Sequence, residues 1–253
     1  MSEAPRRFFD EYDRFLETSI VGNWPDRLNA RYEAIVSANK SLFQGARVLD
    51  LASHDGRWTF AALDAGASSV VGIEVRPDLV ATAHENMEAL GVSKSAYRFE
   101  AGDIFENRNL FLEPFDVVLC LGLFYHTMRH VELLQLIDLT NVSTLILDTM
   151  LTDSDGNLVS VRSENSDHPA NGLDDSGVRE NAILVGVPTP GAVHLMLRHF
   201  GFAVCQTDWA ALIHRLGLSP DINNMQGPEN PLGDYFRNQR GTFVARRSMR
   251  GCE

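Results

Sequence analysis

The stretch Arg47-Val48-Leu49-Asp50-Leu51-Ala52-Ser53-His54-Asp55-Gly56 constrains the fold more than any other part of the chain, because a second apolar run, Ser69-Val70-Val71-Gly72-Ile73-Glu74, follows it and ends on a carboxylate. An apolar strand, a tight turn of small residues, a helix and a strand ending in an acid make one βαβ unit. Such a turn brings backbone close to a ligand, and the second carboxylate sits where it can accept the hydroxyl hydrogens of a ribose. Two further strands continue the pattern. Tyr97 to Asp103 is short and ends on an acid, and Phe115 to Gly122 is an almost unbroken apolar run. A strand apolar on both sides belongs in a parallel sheet covered on both faces. The expected class is therefore α/β.

Residues 46–150 resemble the core of the class I S-adenosylmethionine (SAM) dependent methyltransferases. That family carries Gly-x-Gly-x-Gly in the first turn and acids at the ends of the second and third strands. Here the glycine positions read Ala52, His54 and Gly56, so only the last is kept. The resemblance implies a Rossmann-like, seven-stranded, mostly parallel sheet with helices on both faces, and SAM as cofactor. It also implies a cofactor site drawn from Asp50, Ala52, Ser53, His54, Gly56, Glu74, Asp103, Ile104 and Leu121. Glu74 is expected on the ribose hydroxyls. Asp103 is similar to the family acid that contacts the adenine amino group, against the plainer reading of a turn cap. Asp50 would hold the methionine end indirectly, through backbone or water. His54 puts a ring where the family often has no side chain, so the ring must touch the ligand or point away from it. The competing NAD-binding reading would want the glycines intact.

With 253 residues the chain has the length of one large domain with additions. The expected division is a helical cap over 1–43, a SAM-binding core over 44–150, and acceptor-side loops with the last strands over 151–253. Thirty-four acids against 22 bases give a formal net charge of −12, which disfavours a phosphate backbone as partner. Arg237, Arg240, Arg246, Arg247 and Arg250 cluster near the end and read as a solvated face. No apolar stretch has the length of a membrane span, and no signal-type apolar core follows Met1 to Arg7. Cys120, Cys205 and Cys252 are odd in number and widely spaced, as reduced thiols of a cytoplasmic protein would be.

Helical spacing of Leu28, Tyr32, Ile35 and Val36 after Pro25 predicts a helix before the first strand. Such a segment either covers the ligand site or packs on the sheet edge. Phe8, Phe9, Tyr12 and Phe15 form an aromatic stripe expected in the core. Helices are predicted from Arg57 to Ala65 with Gly66 as stop, from Pro77 to Gly91, and from Thr189-Pro190 to Gly201. The fifth strand is Thr144 to Asp148. The last two strands, Phe202–Gln206 and Thr242–Arg246, are implied by the resemblance to pair antiparallel at one edge. Between the fifth strand and Thr189 lies a long loop containing an alternating piece, Leu158 to Arg162; loops of this length are lids or linkers. With the stretch from Leu218 to Gly233, containing Pro220, Pro228 and Pro231, it is expected to build an acceptor pocket.

Ligands of open α/β sheets bind beyond the carboxyl ends of the strands, which places Ser53 to Gly56 beside Gly122-Leu123-Phe124-Tyr125-His126. SAM is already activated, so the main task left is alignment. A hydroxyl acceptor must still lose its proton, and a histidine is the economical base. His126 is the candidate, with Tyr125 orienting the acceptor and His130 as the second choice; the plainer reading makes His126 a helix cap. Some sugar O-methyltransferases hold magnesium at the acceptor hydroxyls with acids after strands four and five. The matching candidates are Asp148, Glu164 and Asp167, with His168 nearby, although acid-rich loops are usually just solvated. The chain also resembles actinobacterial sugar O-methyltransferases of this size, which implies a small hydroxyl acceptor, a sugar, with neither nucleic acid nor membrane as partner. Two alternatives stay open. Leu121 to His126 and Val187-Pro188-Thr189 resemble the carboxy-SAM enzymes that modify wobble uridine in tRNA, and the altered glycine turn fits a non-catalytic SAM-binding protein.

Overall fold

The structure, a computed structural model, describes residues 5–19, 24–168, 171, 178–218 and 232–247. The parallel part of its main sheet is built from β1 (Arg47–Leu51), β2 (Ser69–Glu74), β3 (Tyr97–Ala101), β4 (Val117–Leu121) and β5 (Thr144–Met150). Two more strands, β8 (Phe202–Gln206) and β9 (Arg240–Arg247), complete seven in the order β3-β2-β1-β4-β5-β9-β8. β9 runs antiparallel to both β5 and β8, as expected for the edge pair. Strand order reverses between β1 and β4, and this switch point fixes where a ligand binds.

Alternation along the strands divides the core into two layers. In β4, Val118 and Cys120 face one layer while Val117, Leu119 and Leu121 face the other; in β5, Leu145 and Leu147 oppose Ile146. Successive side chains of a strand point to opposite faces, so a run apolar at every position needs cover on both sides. One cover is α6 (His130–Leu139) and α7 (Pro190–His199), the latter capped by Thr189 Oγ1 accepting from Ala192 N. The other is α4 (Arg57–Asp64), α5 (Pro77–Ala89) and the N-terminal helices α1 (Phe8–Glu11), α2 (Arg14–Glu17) and α3 (Pro25–Ile35). Phe8, Phe9 and Phe15 are fully buried against Trp58, Phe60 and Tyr32, and Phe8 stacks on Tyr32 with ring centroids 4.2 Å apart. The aromatic stripe is core.

The expectation of a long loop after the fifth strand needs correction. Within it, β6 (Val159–Asn165) and β7 (Ala182–Pro188) form a second, two-stranded antiparallel sheet. The alternating piece is a strand because Ile183, Val185 and Val187 of its partner are buried while Val159, Val161 and Leu184 face outward. The stretch with Pro220, Pro228 and Pro231 lies outside the described residues, as do Arg250 and Cys252; α8 (Trp209–Arg215) and α9 (Gly233–Phe236) bracket that stretch. The expected solvated arginine face is also revised. Arg246 is exposed, but Arg240 is only 7% exposed. Cys120 and Cys205 are free thiols, and burial pushes the Cys120 pKa up. Among the described residues, no helix is long and apolar enough to cross a membrane.

Candidate active site

A cavity of about 350 Å³ opens beyond the carboxyl ends of the parallel strands. Its walls come from the β1 turn (Ala52, His54), the ends of β2 and β3 (Glu74, Asp103, Ile104), the segment after β4 (Leu121, Gly122, Tyr125, His126), α3 (Arg27, Leu28, Arg31) and the first residue of β9, Arg240. α3 therefore belongs both to the core and to the cavity wall.

The β1 turn explains the missing glycines. Ala52, His54 and Gly56 all adopt left-handed backbone, with φ of 56°, 53° and 80°. A non-glycine residue pays roughly 1–2 kcal/mol for that conformation, and such strain is typically kept where it positions a ligand site. Space decides which glycine is indispensable. A Cβ on Gly56 would meet Phe99 Cζ at 3.0 Å and both Ala83 Cβ and Met87 Cε at 3.2 Å. Ala52 and His54 instead line the cavity, where a side chain has room.

Glu74 holds the turn in place. Its Oε2 accepts from His54 N at 3.1 Å and its Oε1 from Arg76 N at 3.1 Å. Each carboxylate oxygen keeps a lone pair for a hydroxyl donor. Asp103 Oδ1 accepts from Phe105 N at 2.7 Å, so it caps a turn, and the residue also lines the cavity. Asp50, Ser53 and Gly56 lie behind the wall and do not line it. Asp50 is fully buried; Oδ2 accepts from Thr59 Oγ1 at 2.8 Å, and Oδ1 has no partner. Burial pushes its pKa up to about 7, against the Thr59 hydrogen bonds and with help from the charges of Glu74 and Asp55. Ser53 Oγ and His54 Nε2 are likewise buried without a partner. Of these three only His54 lines the cavity, so the unpartnered atoms of Asp50 and Ser53 lie behind the turn and do not face a ligand there. Asp55 anchors the turn from behind, accepting from Arg57 Nε at 2.7 Å and from Thr18 Oγ1, beyond α2, at 2.7 Å. Burial opposes that charge, but Arg57 and His54 outweigh it and hold the Asp55 carboxyl below its usual range.

His126 ends a short 3-10 turn, Phe124–His126, after β4. Its Nδ1 lies 2.8 Å from Glu164 Oε2 of β6, which leaves Nε2 as the second ring nitrogen. Tyr125 packs beside it with ring centroids 4.0 Å apart and accepts a long hydrogen bond of 3.4 Å from Arg240 Nη1. His130 is structural: its Nε2 donates to Gly186 O at 2.9 Å, its ring lies 4.6 Å from Phe124, and burial lowers its pKa.

The expected metal set of Asp148, Glu164 and Asp167 is not assembled. Asp148 is fully buried and accepts from Arg240 Nε at 2.8 Å, Thr242 Oγ1 at 2.7 Å, Tyr235 OH at 2.9 Å and Arg31 Nη2 at 3.2 Å. Burial works against its charge, yet Arg240 and Arg31 hold the carboxyl well below its usual range. A carboxylate enclosed by two guanidinium groups repels a divalent cation. Glu164 serves His126, and Asp167 accepts from Asn181 Nδ2 at 2.9 Å. Among the described residues, no group of three or more His, Cys, Asp or Glu is placed to hold a metal ion.

Residues 48–139 match the family described as "Methyltransferase domain". The fold is that of the class I methyltransferases. Among solved structures, the N-terminal domain of EvdMO1, determined in the presence of SAH and D-fucose, superposes with a TM-score of 0.58 at 22% identity, over 88% of this chain and 82% of that one. A putative S-adenosylmethionine dependent methyltransferase from Listeria monocytogenes gives 0.57 at 17% identity, over 87% and 99%. Magnesium protoporphyrin IX methyltransferase (ChlM) from Synechocystis PCC 6803 with bound SAM gives 0.55 at 16%, over 96% and 95%. No curated protein sequence matches this chain.

Sequence reasoning missed Arg27 and Arg31 as cavity residues and read Arg240 as part of a solvated face. Arg27 and Arg31 lie four residues apart on α3, a spacing that puts two side chains on one helix face and so offered a signal. Arg27 pairs with Asp234 at 2.7 and 2.8 Å. Arg240 carried no signal of its own, because its partners are remote in sequence.

Proposed function

We propose that this protein is a SAM-dependent O-methyltransferase that acts on a hydroxyl of a small acceptor of the sugar type. The observation that carries the reading is the His126–Glu164 pair, 2.8 Å apart, at the far end of a cavity whose near end is Glu74 and Asp103. When bound, SAM supplies an activated methyl group on a sulfonium centre. Glu74 would accept the ribose hydroxyls, Asp103 would hold the adenine amino group, and Ile104 and Leu121 would supply apolar walls for the cofactor. Glu164 fixes the His126 tautomer with Nδ1 protonated, so that Nε2 is free to take the acceptor's proton as its oxygen attacks. A base placed this way contributes typically 10²–10⁴-fold. The oxygen–carbon bond forms as the carbon–sulfur bond breaks, and the proton ends on His126.

A hydroxyl nucleophile is favoured because a carboxylate acceptor has no proton to surrender and gains nothing from the pair. The sugar class is supported by the EvdMO1 domain, studied in the presence of D-fucose, and by the acidic composition, which disfavours tRNA. In this reading α3 caps the cavity, and Arg240, with Glu164 behind His126, forms its acceptor side. No step runs through magnesium, because Asp148 is committed to two arginines. The test is transfer of labelled methyl from SAM to a pool of small mannosides and to bulk tRNA, with and without EDTA. The expected result is label in a mannoside, unchanged by EDTA and reduced 10²-fold or more in His126→Ala. Label in tRNA alone, or undiminished transfer by the variant, would overturn the assignment.

A further inference from the structure

At the β5 and β9 end of the cavity two guanidinium groups share a single carboxylate. Arg31 and Arg240 both line the cavity and both bind one carboxylate, that of Asp148, at 3.2 and 2.7 Å. The other groups on Asp148 are the hydroxyls of Tyr235 and Thr242, which are neutral; burial pushes the Tyr235 pKa up to about 12. The neighbouring cations are matched: Arg27 by Asp234, and Arg57 by Asp55. Glu164 faces His126 and does not line the cavity. At Asp148 itself, among the described residues, two guanidinium groups share one carboxylate, while the next carboxylate, Glu164, is taken up by His126. Arg31 is also under-used as a donor. Among the described residues its one hydrogen bond is the 3.2 Å contact to Asp148 and its buried Nε has no acceptor, while its guanidinium lies 5.1 Å from the Trp58 ring centroid. A buried donor without a partner costs about 1–3 kcal/mol, and more when charged.

We infer that Arg31 and Arg240 form a subsite for an oxyanion, a carboxylate or phosphate, carried by the methyl acceptor. The inference rests on the O-methyltransferase reading and narrows it from a neutral sugar to a hydroxyl compound bearing an acid group. Position separates this subsite from the cofactor's ribose. Glu74 ends β2, whereas Asp148 lies in β5, three strands along the sheet, or roughly 14 Å at about 4.8 Å per strand. The subsite adjoins the base, because Arg240 reaches Tyr125, whose ring packs on His126. An acceptor anchored here by its acid group presents a nearby hydroxyl to His126. Guanidinium groups are suited to this task, since their fork of donors matches a planar or tetrahedral oxyanion.

The experiment uses the full chain saturated with SAH and follows the arginine Nε–H resonances of Arg31 and Arg240 by NMR. Sodium acetate and inorganic phosphate are titrated separately, with ionic strength held constant by chloride. Both resonances should move together and saturate with at least one anion; acetate points to a carboxylic acid and phosphate to a phosphate ester. In Arg31→Gln, followed on Arg240, the apparent affinity should fall about tenfold or more. Arg31→Lys, which keeps the charge and guards against a merely unfolded variant, should recover part of it. Unmoved resonances in the wild type, or unchanged affinity in Arg31→Gln, would overturn the inference. So would a shift produced by SAH alone with no further response, since that would give the guanidinium groups to the cofactor's own carboxylate. Anion binding is read without turnover, so its failure is distinct from a failure of methyl transfer.

Discussion

Asp50 is a fully buried carboxyl whose charge has little to stabilise it. Its side chain is sealed behind the β1 turn, with one oxygen on Thr59 and the other unpartnered, so any role toward a ligand is the indirect one expected of it. Its folded pKa of about 7 lies above the ordinary 3.8, chiefly because burial disfavours the charge. Between those values the folded chain holds a proton that the unfolded chain has lost, so stability falls as pH rises through that window. Asp50→Asn should flatten the slope and stabilise the SAM-free protein at pH 8 by up to roughly 4 kcal/mol. Denaturant midpoints at pH 5 and pH 8 would check this, and an unchanged pH slope in the variant would contradict it. The β1 turn was legible in its consequence but not in its cause. Left-handed backbone at Ala52 and His54 cannot be inferred from residues that usually avoid it, whereas Gly56 announces its own φ.

At the scale of elements, α3, β5 and β9 are joined through Asp148. Asp148→Asn would leave Arg31 and Arg240 buried around a neutral amide, and losing one member of a buried ion network costs about 3–5 kcal/mol. The expected outcome is a loss of that size in chemical denaturation, together with wild-type stability that EDTA does not alter. A metal ligand would behave in the opposite way, with EDTA reproducing the mutation. Strands and helices with strong periodicity, such as β4, α5 and α7, were legible within a few residues, because burial on one or both faces dictates their pattern. The β6–β7 pair was legible only as the alternating piece at Leu158 to Arg162, since β6 is almost wholly exposed and carries little burial pattern. The same loss of pattern hid Glu164, whose role depends on a pairing between β6 and the turn after β4 that sequence spacing does not encode.

Across the whole molecule, one cavity crosses the switch point of a seven-stranded sheet, with acids at the β2 and β3 end and guanidinium groups at the β5 and β9 end. The acidic half was readable because it comes from consecutive βαβ units, whose connections fix its geometry. The basic half joins α3 near the start of the chain to β9 near its end, contacts that only the folded sheet creates. SAM bound in this cavity would place its ribose on Glu74 and its methyl toward His126. The most direct measurement is calorimetric titration of SAH into wild type, Glu74→Gln and His126→Ala. The expected result is one site in wild type, affinity weaker by about tenfold or more in Glu74→Gln, and little change in His126→Ala. Absence of binding to wild type, or equal affinity in Glu74→Gln, would contradict it.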